Sequence, residues 1–92
     1  MDKIATTKLT IINALGLHAR AATLLVQTAS RFNADLYISK EGRQINGKSI
    51  MGVLLLTAGK GTELEIEAIG SDCADLIAAI EALVENKFGE EQ

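Results

Sequence analysis

Proline is absent from this 92-residue chain, and aromatic residues make up only 3% of it. Aliphatic side chains, the bulk of the 48% apolar residues, must therefore supply the core. A single cysteine, Cys73, excludes an internal disulfide and suits a reducing cytosol. No apolar run approaches the roughly 18–20 residues of a membrane span, and residues 1–4 do not begin a secretory signal. These absences predict one cytoplasmic domain over residues 1–92, with no membrane insertion.

An excess of positive charge is also lacking, because the formal net charge is −3 and the pI is near 5.0. The few aromatic residues, Phe32, Tyr37 and Phe88, are not interleaved with lysine or arginine. Both observations argue against nucleic-acid binding.

Alternation of apolar and polar residues predicts four strands. They cover residues 8–12, the segment around Leu36 and Ile38, a short stretch near 43–45, and residues 63–68. The last one alternates so strictly that one of its faces must meet water.

Helical spacing predicts three helices. The first covers residues 19–31, and its core stripe is Ala22, Leu25, Val26 and Ala29. A short helix over residues 49–56 begins with Ser49 as its N-cap. The last helix has Ser71 as its cap and Asp72 and Asp75 in its first turn, with a core of Cys73, Leu76, Ile80, Leu83 and Val84. Gly89 would stop it, and residues 86–92 are expected to form a frayed acidic tail.

The resulting order is β-α-β-β-α-β-α. Strands with one polar face favour an antiparallel sheet covered on one side. The predicted fold class is α+β, a two-layer open-faced β-sandwich with a four-stranded antiparallel sheet and three helices on one face.

One motif points elsewhere. Residues 42–49 (GRQINGKS) fit the phosphate-binding P-loop pattern G-x-x-x-x-G-K-[ST]. P-loop domains, however, need a parallel sheet buried on both faces, and the three glutamates on one face of residues 63–68 do not fit such a sheet. Nucleotide binding is therefore not expected.

His18, the only histidine, lies between the first predicted strand and the first helix, two residues before Arg20. Unpaired backbone amides at Ala19, Arg20 and Ala21, the helix dipole and the guanidinium would form an anion site. Imidazole is largely neutral at cellular pH and can carry a phosphoryl group. The alternative is a capping or surface histidine without chemistry.

Two segments, residues 15–22 (LGLHARAA) and 47–53 (GKSIMGV), resemble the signature stretches of the HPr family, the histidine-containing phosphocarrier proteins of the bacterial phosphotransferase system. The resemblance extends from about residue 3 to residue 88. It implies that His18 takes phosphate from an enzyme I-type donor and passes it to an EIIA-type acceptor, with Arg20 stabilising the transferred group. It also implies regulatory phosphorylation of Ser49. Ala21 stands where the family usually has proline.

Surplus apolar side chains predict a docking surface for these partners. Its residues are Leu24, Gln27, Lys48, Ile50, Met51 and Leu54. The chain would be a monomeric relay rather than a freestanding enzyme, without cofactor or metal. The alternative is a mainly regulatory paralogue, in a nitrogen-type branch or as a Ser49-phosphorylated corepressor, with HPr kinase/phosphorylase and a transcriptional regulator as partners.

Overall fold

The computed structural model describes residues 3–92 of the chain. The four strands in this range form one antiparallel sheet. The strands are β1 (Ile4–Thr10), β2 (Asp35–Lys40), β3 (Arg43–Asn46) and β4 (Glu63–Ile69). They lie in the order β1-β4-β2-β3, and every neighbouring pair is antiparallel. The first strand begins four residues earlier than its pattern predicted. Ala5 and Thr7 are partly buried on the same face of the strand as Leu9, so the alternation starts before residue 8.

Three α-helices cover one face of this sheet within the described residues. They are α1 (Ala19–Ala29), α2 (Ile50–Leu55) and α3 (Cys73–Glu85), and a 3-10 turn (Lys87–Gly89) follows α3. Helix α3 packs on β1 and β4, and α1 packs on α2 and α3. The predicted α+β open-faced sandwich is confirmed. Because the sheet is antiparallel, residues 42–49 form the β2–β3 turn, β3 and the start of α2, not a P-loop.

The core lies between the helices and the inner face of the sheet. On β4, Leu64, Ile66 and Ala68 are buried, while Glu63 and Glu65, which alternate with them, are exposed. The predicted core stripe of α1 is buried as well, and Ala21 joins it. These burial patterns follow directly from the periods of a strand and a helix.

The cap of α3 differs from the prediction. Asp72, not Ser71, is the N-cap residue. The Asp72 carboxylate accepts hydrogen bonds from the backbone amides of Asn33 (2.9 Å) and Ala34 (2.8 Å). Its position is thus set by the loop before β2, which lies far away in the sequence. Leu83, predicted as core, is only partly buried.

The expectation of a frayed tail is wrong for much of residues 86–92. Phe88 is 1% exposed and belongs to the core. Glu90 hydrogen-bonds to Asn13 and His18, and the backbone oxygen of Gln92 accepts from the Ala14 amide at 2.9 Å. The apolar anchor at Phe88 explains why this acidic segment stays in place. None of the described helices is long and apolar enough to cross a bilayer.

Candidate functional site

His18 is the N-cap of α1, as its place in the sequence indicated. Its backbone is extended (φ −75°, ψ 177°), and its side chain makes no capping hydrogen bond. The loop before it is fixed by the Leu17 amide, which donates to the Ala58 carbonyl oxygen at 2.8 Å. Gly16 has φ +66°, and a Cβ there would lie 2.4 Å from the same Ala58 oxygen. The loop therefore needs glycine at this position to present His18 at the helix start.

The imidazole of His18 is partly exposed and pairs with a carboxylate. Its side chain keeps 29% of its accessible surface, and its Nε2 lies 2.5 Å from Glu90 Oε2. The other carboxylate oxygen, Oε1, accepts from Asn13 Nδ2 at 3.0 Å. The hydrogen bond with His18 and the one from Asn13 lower the pKa of Glu90, and the charge of Arg20 contributes. Glu90 is thus held as a carboxylate against the ring.

The three residues predicted to bind phosphate at the start of α1 differ in exposure. Ala19 and Arg20 are exposed beside His18, whereas Ala21 is fully buried. In this arrangement Ala19 and Arg20 are open to an approaching anion, and the contribution of each backbone amide stays a prediction. The methyl group of Ala21 packs into the core instead.

Ser49 is the N-cap of α2, as predicted. Its Oγ accepts a hydrogen bond from the Gly52 amide at 3.0 Å. The side chain is at the surface of the domain and half-buried. Its hydrogen bond lies within the first turn of α2.

The predicted docking residues divide into exposed and packed ones. Ile50 is 41% exposed, Met51 is 68% exposed, and Gln27 is exposed as well. Leu24 and Leu54, by contrast, are partly buried against the core. The exposed apolar residue at the end of α2 is Leu55, at 52%. It follows Met51 by four residues and so shares its side of the helix.

Lys48, another of the predicted docking residues, is hydrogen-bonded to the main chain. Its Nζ donates to the Phe32 carbonyl oxygen at 2.7 Å, across 16 residues of sequence. The place of Lys48 in the docking surface stays a prediction. Its ammonium group ties the start of α2 to the loop after α1.

Sequence reasoning missed Asn13, Glu90 and the exposed Leu15 and Leu55. Asn13 is completely buried, and Leu15 is 69% exposed in the loop before His18. One signal for the tail was available: Phe88 is a large apolar residue among charged ones and could have been interpreted as an anchor. No local pattern, however, indicates that Glu90 reaches His18, because 72 residues separate them.

Comparison with known proteins agrees with this geometry. The family model for the PTS HPr component phosphorylation site matches residues 5–86. The phosphocarrier protein HPr of Neisseria meningitidis serogroup A is 48% identical over 80 residues, covering 87% of this chain and 90% of the relative. HPr of Xylella fastidiosa (strain Temecula1) is 46% identical over 84 residues, covering 91% and 94%.

A solved structure gives the same answer. HPr-C-His from Thermoanaerobacter tengcongensis superimposes with a TM-score of 0.93 at 41% identity, covering 96% of this chain and 99% of that one. The fold, the two sequence signatures and these relatives agree. The chain therefore belongs to the HPr family of phosphocarrier proteins of the phosphotransferase system.

Proposed function

We propose that this chain carries a phosphoryl group on His18, which it accepts from an enzyme I-type donor and passes to an EIIA-type acceptor in the cytoplasm. The observation that carries the proposal is the position of the imidazole and its contact with Glu90. The ring is partly exposed at the start of α1, and its Nε2 is already paired with Glu90. A neutral ring that donates through Nε2 keeps its lone pair on Nδ1, so Nδ1 is the nucleophile.

The surroundings of His18 suit phosphoryl transfer. The exposed Arg20 adds a guanidinium that can pair with phosphate oxygens, and the amides at the start of α1 add further donors. Phosphoryl transfer depends mainly on positioning and on stabilising charge. One arginine and a helix terminus offer modest stabilisation, so the donor and acceptor proteins supply the remaining groups. This makes the chain a substrate-like relay.

The test uses phosphoenolpyruvate labelled in its phosphoryl group, together with an enzyme I. Wild-type chain should take up an acid-labile label, and His18→Ala should take up none. Because His18 lies outside the buried core, His18→Ala should keep its circular dichroism spectrum and its melting temperature. Arg20→Ala is the matched variant, since it retains the nucleophile and should become labelled more slowly. Undiminished labelling of His18→Ala would refute the proposal.

The partners would dock on the exposed side of α2. We define the α2 patch as Ile50, Met51 and Leu55, which are 41%, 68% and 52% exposed. Three large exposed apolar side chains on a helix of six residues form an apolar patch of the kind that marks an interaction site. The flexible methionine suits a surface that accommodates several partners in turn.

We propose a second role at Ser49, phosphorylation by an ATP-dependent kinase. Ser49 lies next to the α2 patch, and phosphate at the start of a helix is electrostatically tolerated. The modification would add about two negative charges beside the patch and weaken docking of an acidic partner. Incubation with HPr kinase and ATP, with Ser49→Ala as the control, tests this role. Absence of phosphate on wild-type Ser49 would contradict it, and labelling of His18 would be unaffected.

A further inference from the structure

The segment after α3 (residues 86–92, here the C-terminal strap) turns back towards the start of α1. Lys87, Phe88 and Gly89 have positive φ values of 54°, 55° and 78°. Positive φ at a non-glycine residue costs on the order of 1–3 kcal/mol and persists only where the surroundings enforce it. Here the burial of Phe88 enforces it. The strained turn directs the strap so that Glu90 meets His18.

Asn13 binds the carboxylate oxygen of Glu90 that does not contact His18. Asn13 is 0% exposed, and its Nδ2 donates both to Glu90 Oε1 (3.0 Å) and to the Gly16 carbonyl oxygen (2.9 Å). The amide cannot rotate without losing both bonds. The chain of contacts Asn13–Glu90–His18 therefore holds the carboxylate against Nε2 of the imidazole.

We propose that Glu90, held by Asn13, is a positioning residue that keeps the hydrogen of His18 on Nε2 and stabilises the positive charge the ring acquires during phosphoryl transfer. This inference rests on the proposed function. The lone pair of Nδ1 forms a bond to phosphorus while the bond between phosphorus and the donor breaks, and its electron pair leaves with the donor. Nε2 keeps its hydrogen, so the ring becomes an imidazolium facing the Glu90 carboxylate. Transfer to the acceptor reverses both changes.

The size of the expected effect can be judged from similar pairs of carboxylate and histidine. An aspartate in the same relation to a histidine holds the ring and stabilises its cation in serine proteases, where its replacement by asparagine lowers kcat about 10⁴-fold. Glu90 keeps 14% of its side-chain surface in solvent, which weakens the effect. We expect a loss of roughly 10- to 100-fold, the range seen when carboxylates that orient metal-bound histidines are removed.

Glu90→Gln isolates this effect because it preserves shape and changes only one oxygen. The new NH2 group faces one of two partners. It meets either Asn13 Nδ2, which is also a donor, or His18 Nε2, which accepts only if the hydrogen moves to Nδ1. Glu91→Gln is the matched control, since it makes the same charge change on the neighbouring, exposed residue.

Two measurements on the full chain decide the question. The ¹⁵N resonances of the neutral His18 ring report which nitrogen carries the hydrogen, and rapid-quench labelling gives the rate constant of transfer from the donor. Wild type and Glu91→Gln should hold the hydrogen on Nε2. Glu90→Gln should shift the hydrogen towards Nδ1 and transfer 10- to 100-fold more slowly, while His18→Ala takes up no label.

A transfer rate for Glu90→Gln equal to that of Glu91→Gln would overturn the role of Glu90 and leave His18 as the acceptor. Wild-type spectra with the hydrogen on Nδ1 would overturn it as well, without any variant that must fold. Failure of the wild-type chain to take up label would instead count against the proposed function.

Discussion

Replacing Phe88 by alanine tests whether the C-terminal strap is part of the folded domain. Phe88 is 1% exposed, although it lies only three residues beyond the end of α3. Removing a buried phenylalanine side chain costs about 3–5 kcal/mol, from lost transfer energy and the cavity left behind. Domains of this size are stable by only about 5–15 kcal/mol in total, so the loss is a large fraction. Since 1 kcal/mol shifts the melting temperature by about 4–8 °C in a small domain, the drop should be about 12 °C or more.

The assay is urea unfolding followed by far-ultraviolet circular dichroism, on wild type, Phe88→Ala and Leu55→Ala. Leu55 is the control because it is 52% exposed, and its replacement should change stability by no more than about 0.5 kcal/mol. Phe88→Ala should also release Glu90 from His18, so the imidazole ¹⁵N resonances should change with it. A loss for Phe88→Ala as small as that for Leu55→Ala would refute the packed strap.

Three further predictions concern the other helices. Ser49→Ala removes the oxygen that accepts the Gly52 amide and should lower the free energy of unfolding by about 1 kcal/mol in urea titrations; unchanged stability would contradict the cap. The pKa of Asp72 is lowered from its ordinary value of 3.8, chiefly by the hydrogen bond from the Asn33 amide, against the opposing effect of burial. Its carboxylate therefore stabilises the fold above pH 3.8, and this contribution is lost as the pH falls through the lowered pKa. The free energy of unfolding should thus vary less between about pH 6 and about pH 2 in Asp72→Asn than in wild type. Equal acid dependence of the two proteins would count against the Asn33 contact. Met51→Asp places a charge in the α2 patch and should weaken calorimetric binding of the phosphoryl donor while the melting temperature stays nearly constant; marked unfolding would mean that Met51 is a core residue.

The sequence predicted the parts of the fold that local periodicity determines. On β4 the alternation of Leu64, Ile66 and Ala68 with glutamates identified the buried face correctly. The spacing of Leu25 and Val26 identified the inner stripe of α1 in the same way. In both cases the repeat of the backbone decides which side chains share a face, so a short window of sequence is sufficient.

Contacts between distant segments could not be predicted in this way. Asp72 bonds to amides 38 and 39 residues away, and no local pattern around Asp72 indicates these contacts. In α2, the packing of the helix on its neighbours decides that Leu54 is partly buried and Leu55 exposed, and the spacing of apolar residues alone leaves that choice open. The sequence predicted that His18 and Arg20 lie at the start of a helix, and the structure places them there. The contact of Glu90 with His18 could not be predicted, because it depends on how the strap folds back.

That return of the strap has a consequence for how the protein matures. Ribosomes synthesise the chain from its amino end, so His18 is made long before Glu90, the residue with which its imidazole pairs. A nascent or prematurely terminated product that lacks residue 90 would possess the histidine without its partner. Proteolytic cleavage of the strap before residue 90 would have the same result. The pairing of His18 with Glu90 can thus form only after the strap has been synthesised, and it lasts only while the strap is intact.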